Sequence, residues 1–207
     1  MNTGTAFRTG LRAALLLLLS GVTCHAQPRV TAWGDGSQGQ LGRNSLSDSL
    51  IPNGVVNTGA LAGKTVTQLC GGYSHSLALA SDGAVYSWGL NASGQLGTGS
   101  TAGSWVPVAV STSGALSGKT VTQIAAGQEH CLALASDGKV YSWGSNLKGQ
   151  LGSGGGNSPA PVAVDTSGAL AGKTIIQIAA SDYHSLALAS DGTAYAWGNG
   201  GYGQLGN

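Results

Sequence analysis

Charged residues are scarce in this chain. Asp, Glu, Lys and Arg together make up 8% of its 207 residues, against roughly 25% in ordinary globular proteins. Glu129 is the sole glutamate. That scarcity excludes helices faced with Glu–Lys pairs. It also excludes the clustered basic surface of nucleic-acid binders, so no nucleic-acid partner is expected. Long apolar runs are missing as well: Ala13–Leu19 is too short to span a bilayer, which takes about 20 residues. Cysteine is confined to Cys24, Cys70 and Cys131, too few for a disulfide-stapled scaffold. Disorder is excluded by a hydrophobic content of 42%.

Glycine is what the chain has in excess, 36 residues in all. Much of it sits in a repeated phrase: HSLALASDGAVYSWGLNASGQLG at 75–97, HCLALASDGKVYSWGSNLKGQLG at 130–152 and HSLALASDGTAYAWGNGGYGQLG at 184–206. A partial copy, VTAWGDGSQGQLG, occupies 30–42, and Trp33, Trp88, Trp143 and Trp197 mark the period. Regular recurrence at this length is the signature of a repeat architecture. The repeat units run 27–62 (partial), 63–117, 118–171 and 172–207 (partial).

Residues 1–26 stand apart from the repeats. Arg8 and Arg12 precede the apolar run, and small or polar residues follow to Ala26. This order predicts a secretory signal peptide cleaved after Ala26, and so a secreted or periplasmic protein with no stable membrane span. Without Arg8 and Arg12, seven of the nine Lys and Arg face eight acids, a net charge near −1. Cys70 replaces Ala125 and Ala179 of the other copies, and Cys131 replaces Ser76 and Ser185. Both read as small buried residues.

Each repeat predicts four strands. In one unit they fall near Val121–Ala126, His130–Ala135, Lys139–Trp143 and the Pro-Val-Ala-Val segment that follows. Ser-Asp-Gly joins the second to the third, a strong hairpin signal. In the second strand Leu132 and Leu134 alternate with Cys131, Ala133 and Ala135, one face bulky and the other small, both apolar. A strand on an open sheet would be polar on one face. This alternation predicts sheets packed on both sides, as in radially arranged four-stranded blades; a solenoid of stacked strands is the other architecture that fits. The fold class is all-β, with about three propeller-type blades.

The repeated words, HSLALASDGAVYSWGLNASGQLG above all, resemble the repeat of the regulator of chromosome condensation family over residues 30–207. The resemblance implies seven-bladed propeller architecture. Guanine-nucleotide exchange is implied by the family name alone, through fold analogy. About 13 strands fall well short of seven blades, and the sequence stops mid-repeat at Asn207, which reads as a truncated product. An open arc is expected over a closed ring, because closure would make Val30–Gly34 and Tyr195–Gly198 compete for one slot. Exposed blade edges then offer a route to self-association.

His75, His130 and His184 lie near Ser and Asp, yet three equivalent copies argue against a hydrolase triad. Each is expected to fix the turn before its own second strand. Asp82, Asp137 and Asp191 are expected in hairpin turns, and Trp33, Trp88, Trp143 and Trp197 in the core between blades. No short metal-ligand spacing occurs, and no cofactor is expected. The copies disagree elsewhere, in the residues before each His and in the loops after each Trp-Gly. There Tyr73, Glu129, Tyr183 and Tyr202, with Trp105 in a loop outside the repeat, are candidate partner contacts. The expectation is a non-catalytic scaffold for a protein or extracellular polymer. The competing reading is a polysaccharide hydrolase or lyase using Glu129 with Asp182.

Overall fold

The structure is a computed structural model, and it describes residues 30–206. The expected signal peptide lies outside them. Among the described residues, thirteen strands form four antiparallel sheets. The first sheet pairs β1 (Thr31–Gly34) with β2 (Ser49–Gly54). The second runs β3 (Val66–Gly71), β4 (His75–Ala80), β5 (Val85–Gly89) and β6 (Ser104–Ala109), in sequence order. The third repeats it with β7 (Val121–Ala126), β8 (His130–Ala135), β9 (Val140–Gly144) and β10 (Ser158–Ala163). The fourth holds β11 (Ile175–Ala180), β12 (His184–Ala189) and β13 (Ala194–Gly198). The sheets form an open arc of propeller blades, with no closed ring among the described residues.

Alternation of large and small residues creates the packing between blades. Leu77 and Leu79 of β4 share a core with Cys131, Ala133 and Ala135 of β8. One blade further on, Leu132 and Leu134 of β8 share a core with Ala187 and Ala189 of β12. The bulky face of each second strand thus fills the space left by the small face of the next. Every residue of β4 and β8 is buried, whereas β12, without a blade on its outer side among the described residues, leaves Leu186 exposed.

The Gly-Gln-Leu-Gly phrase locks adjacent blades. The Gln95 carbonyl accepts Trp143 Nε1–H at 3.0 Å, and Leu96 is fully buried. A methyl on Gly97 would sit 2.8 Å from Trp143 Nε1, and Gly97 has φ +66°. The same bond recurs from Trp88 to Gln40 and from Trp197 to Gln150. Trp88 and Trp143 are completely buried, while Trp33 and Trp197, in the terminal blades, are half-buried.

A second lock comes from glutamine. Gln68 Nε2–H donates to the Ile124 carbonyl and its Oε1 accepts Ile124 N–H, both at 3.0 Å. Gln123 does the same to Ile178. Each side-chain amide takes the place of a neighbouring strand at a register shift.

Two expectations need correction. The fourth strands begin at Ser49, Ser104 and Ser158, three residues before the expected prolines, and Trp105 lies on β6 and not in a loop. The histidines reach across blades and do not simply hold their own turn: His75 Nε2 meets Cys131 Sγ at 3.1 Å, and His130 Nε2 meets Ser185 Oγ at 3.0 Å.

Candidate functional site at the loop end of the arc

Strand register sorts the sequence features to opposite ends of each blade. His75 pairs with Gly89, and Gly89 with Ser104. The turn before each histidine, the loop after each Trp-Gly and the start of the outer strand therefore share one end. Tyr73, Trp105, Glu129, Tyr183 and Tyr202 all fall there.

The opposite end is uniform. Gly83 N–H closes a turn to the Ala80 carbonyl with φ +80°, and Asp82 Oδ1 accepts Ala84 N–H. Lys64 meets Asp82 at 2.6 Å; Lys119–Asp137 and Lys173–Asp191 repeat it at 2.7 Å. The lysine partner holds each aspartate below the ordinary carboxylate range. These exposed pairs contribute little stability. Their value is a constant turn.

At the loop end, successive inner turns are joined by backbone. Tyr73 N–H donates to the Gln128 carbonyl at 3.2 Å, and Gln128 N–H to the Asp182 carbonyl at 3.1 Å. These turns line a groove of about 260 Å³ that takes in Gly72, Tyr73, Gly127, Gln128, Ser181 and Asp182. Tyr73 is 66% exposed and Tyr183 40% exposed. Glu129 is half-buried and accepts Ser93 Oγ–H from the preceding blade at 2.8 Å. Tyr202 projects from the last loop, 94% exposed, and Trp105 stands on the outer strand at 48%. Tyr73 thus lines the groove, and Glu129 and Tyr183 each follow a lining residue, Gln128 and Asp182, on the turns that form it, whereas Trp105 and Tyr202 lie on an outer strand and a loop.

Beneath the turns, His75 and His130 have a fixed protonation. Cys131 Sγ–H donates to the Gln95 carbonyl and Ser185 Oγ–H to the Gln150 carbonyl, so the histidine Nε2 must donate to both. Each Nδ1 is then buried without a partner. Burial lowers His75 to about 3 and His130 to about 4, each helped by the next histidine. Burial also pushes the Cys70 thiol up to about 12 and Cys131 well above its usual range. The His75–Cys131 contact therefore joins a neutral imidazole to a protonated thiol, not an activated nucleophile. Both cysteines are free. A methyl on Gly72 would meet His75 Cε1 at 2.1 Å, and Gly127 repeats this with His130, so the groove floor follows from the buried rings.

Among the described residues, no three His, Cys, Asp or Glu are grouped to hold a metal, and no helix is long and apolar enough to cross a membrane. In the sequon Asn91-Ala92-Ser93 the asparagine is buried: Asn91 Nδ2 donates to the Ser100 and Ala102 carbonyls and Oδ1 accepts Leu96 N–H. The bridging glutamines were missed at the level of sequence, although Gly-Lys-Thr-x-x-Gln occurs three times.

Comparison with known proteins agrees with this geometry. The RCC1-like domain matches residues 20–207. The ultraviolet-B receptor UVR8 of Arabidopsis thaliana is 35% identical over 84% of this chain and 38% of its own length. The E3 ubiquitin-protein ligase HERC2 of Homo sapiens is 35% identical over 98% of this chain and 4% of its own. Prp20p of Saccharomyces cerevisiae, whose structure was described with its binding to Gsp1p and histones, superposes with a TM-score of 0.73 at 28% identity, covering 86% of this chain and 43% of that one. Yeast RCC1 (Prp20) bound to Kap60 gives 0.67 at 29% identity, covering 83% of this chain and 40% of that one. The chain thus spans well under half the length of these relatives.

Proposed function

This chain belongs to the RCC1-like domain family, and on that footing we propose that it is a non-catalytic scaffold that binds a protein partner through the loop end of its arc. One observation carries the proposal: the residues that differ between repeats gather at that end, above a frame of repeated bonds. Rigid elements presenting variable loops are a common way to build recognition. Exposed tyrosines and a tryptophan are the residue types enriched at energetic centres of interfaces. The yeast structures support a protein partner, since that relative was solved bound to Kap60 and described as binding Gsp1p and histones.

Tyr73 in the groove and, on the inner turns that form it, Glu129 and Tyr183 are the inner contacts of this reading, with Tyr202 and Trp105 further out. The test is paired capture with immobilised protein. Tyr73→Ala with Tyr183→Ala at the loop end is compared with Lys64→Ala and Lys173→Ala at the hairpin end. The loop-end variant loses its partner at unchanged melting temperature, and the hairpin-end variant keeps it. Loss by the hairpin-end variant alone, or by neither, contradicts the proposal.

We further propose that binding occurs outside the cytoplasm, on the strength of Arg8, Arg12 and the apolar run ahead of Ala26. N-terminal sequencing of exported protein should begin at Gln27. Full-length protein retained in the cytoplasm contradicts this.

A further inference from the structure

The partner groove leaves a second cavity unexplained. It lies between the first and second blades and measures about 340 Å³, at the lower end of the roughly 300–1,000 Å³ typical of small-molecule sites. Its wall is Trp105 on β6, backed by Leu46, with Ser37, Gln38, Asn91 and Thr101 around it.

The cavity follows from one residue that breaks the repeat. At the equivalent place in the next blade stands Pro159. The packing is otherwise the same: Asn44 N–H donates to the Trp105 carbonyl at 2.9 Å, as Gly99 N–H does to that of Pro159 at 2.8 Å. Gly39 lies beneath Trp105 and Gly94 beneath Pro159, close enough that a methyl would come within 2.6 Å and 2.5 Å of them. The scaffold therefore accepts proline here, and the half-exposed indole is an addition to it. Trp88, Trp143 and Trp197 commit their indole N–H groups to carbonyls. Among the described residues, Trp105 Nε1 has no such bond, nor has the Gln38 side-chain amide or the Thr101 hydroxyl. Asn91, by contrast, is fully engaged in holding the 100–102 loop.

We propose that this cavity binds a neutral saccharide. A pyranose ring presents a face of C–H bonds that stacks on an indole, edged by hydroxyls that need neutral donors and acceptors. Trp105 supplies the plate; Gln38, Ser37 and Thr101 supply the polar edge. No charged side chain lines the cavity, which excludes uronates, phosphosugars and nucleotides as its natural class. A proline-rich peptide docks in a groove lined by several aromatics, and only one is present here.

The experiment titrates the whole protein with neutral oligosaccharides (cello-, xylo-, malto- and chito-oligomers), an oligogalacturonate and a proline-rich peptide, followed by tryptophan fluorescence and calorimetry. The variant is Trp105→Pro, which installs the residue of the neighbouring blade, with Gln38→Ala as a second. At least one neutral oligosaccharide binds and shifts the emission. Trp105→Pro weakens it at least about tenfold at unchanged melting temperature, and Gln38→Ala weakens it less. Tyr73→Ala with Tyr183→Ala leaves it unchanged, so failure here is distinct from failure of the protein-partner proposal. No binding by any neutral oligosaccharide at millimolar concentration overturns the assignment. So does binding of the anionic oligomer or the peptide alone, or saccharide affinity that survives both Trp105→Pro and Gln38→Ala.

Discussion

Gly97 shows how tightly single positions are determined. Its positive φ and the nearby Trp143 indole leave no room for a side chain. Gly156 has open space around it. Gly97→Ala should therefore cost about 2 kcal/mol or more, from strain and displacement of a buried ring. Gly156→Ala should stay within about 0.5 kcal/mol, and denaturant midpoints measure both. His75 and His130 make a pH prediction. Their folded values lie near 3 and 4, below the unfolded value near 6.5. As pH falls below about 6.5 the unfolded chain takes up protons that the folded chain refuses. Stability is thus complete above that pH and falls below it, by about 1.4 kcal/mol per pH unit for each fully titrating histidine. Unfolding curves from pH 7 to 5 check this, and His130→Asn should flatten the slope. The histidines themselves stood out in the sequence, but their reach into the next blade did not. It depends on Cys131 and Ser185, small residues whose hydrogen bonding is set only when sheets stack.

Among the elements, the inner strands were the most legible. Val121–Ala126 and His130–Ala135 follow directly from apolar alternation and the Asp-Gly hairpin. The outer strands were less so. Ser49, Ser104 and Ser158 each fold back to donate a local bond, as Ser104 Oγ–H does to the Val106 carbonyl two residues on. The register shifts there, so the alternation that marks a strand is broken at its start. That irregularity also hid Trp105 from its strand. The glutamine bridges were illegible for another reason: Gln68 and Gln123 look like ordinary polar residues until a second sheet lies beside them. Gln123→Leu removes two bonds and leaves the Ile178 N–H and carbonyl unpaired. At about 1–3 kcal/mol for such a loss, hydrogen exchange should quicken in β11 (Ile175–Ala180) well before β3 (Val66–Gly71). Equal acceleration in both strands would mean the glutamine acts on global stability alone.

For the molecule as a whole, repetition and variation divide the work. Hairpins with their Lys–Asp pairs, indoles on Gly-Gln-Leu-Gly and glutamine bridges recur from blade to blade, so they build a frame. Tyr73, Gln128 and Asp182 differ at one equivalent position, and Ser74, Glu129 and Tyr183 at the next, so these positions are free to serve recognition. The sequence showed that difference, but not that the differing residues share one end of the arc; the pairing of His75 with Gly89 and of Gly89 with Ser104 decides that. The most direct test is hydrogen exchange on the scaffold with its captured protein partner, mapped against the free chain. Protection should concentrate in residues 72–74, 127–129 and 181–183 and spare the hairpins at 81–83, 136–138 and 190–192. Protection confined to the hairpin end would contradict the assignment of the loop end as the binding face.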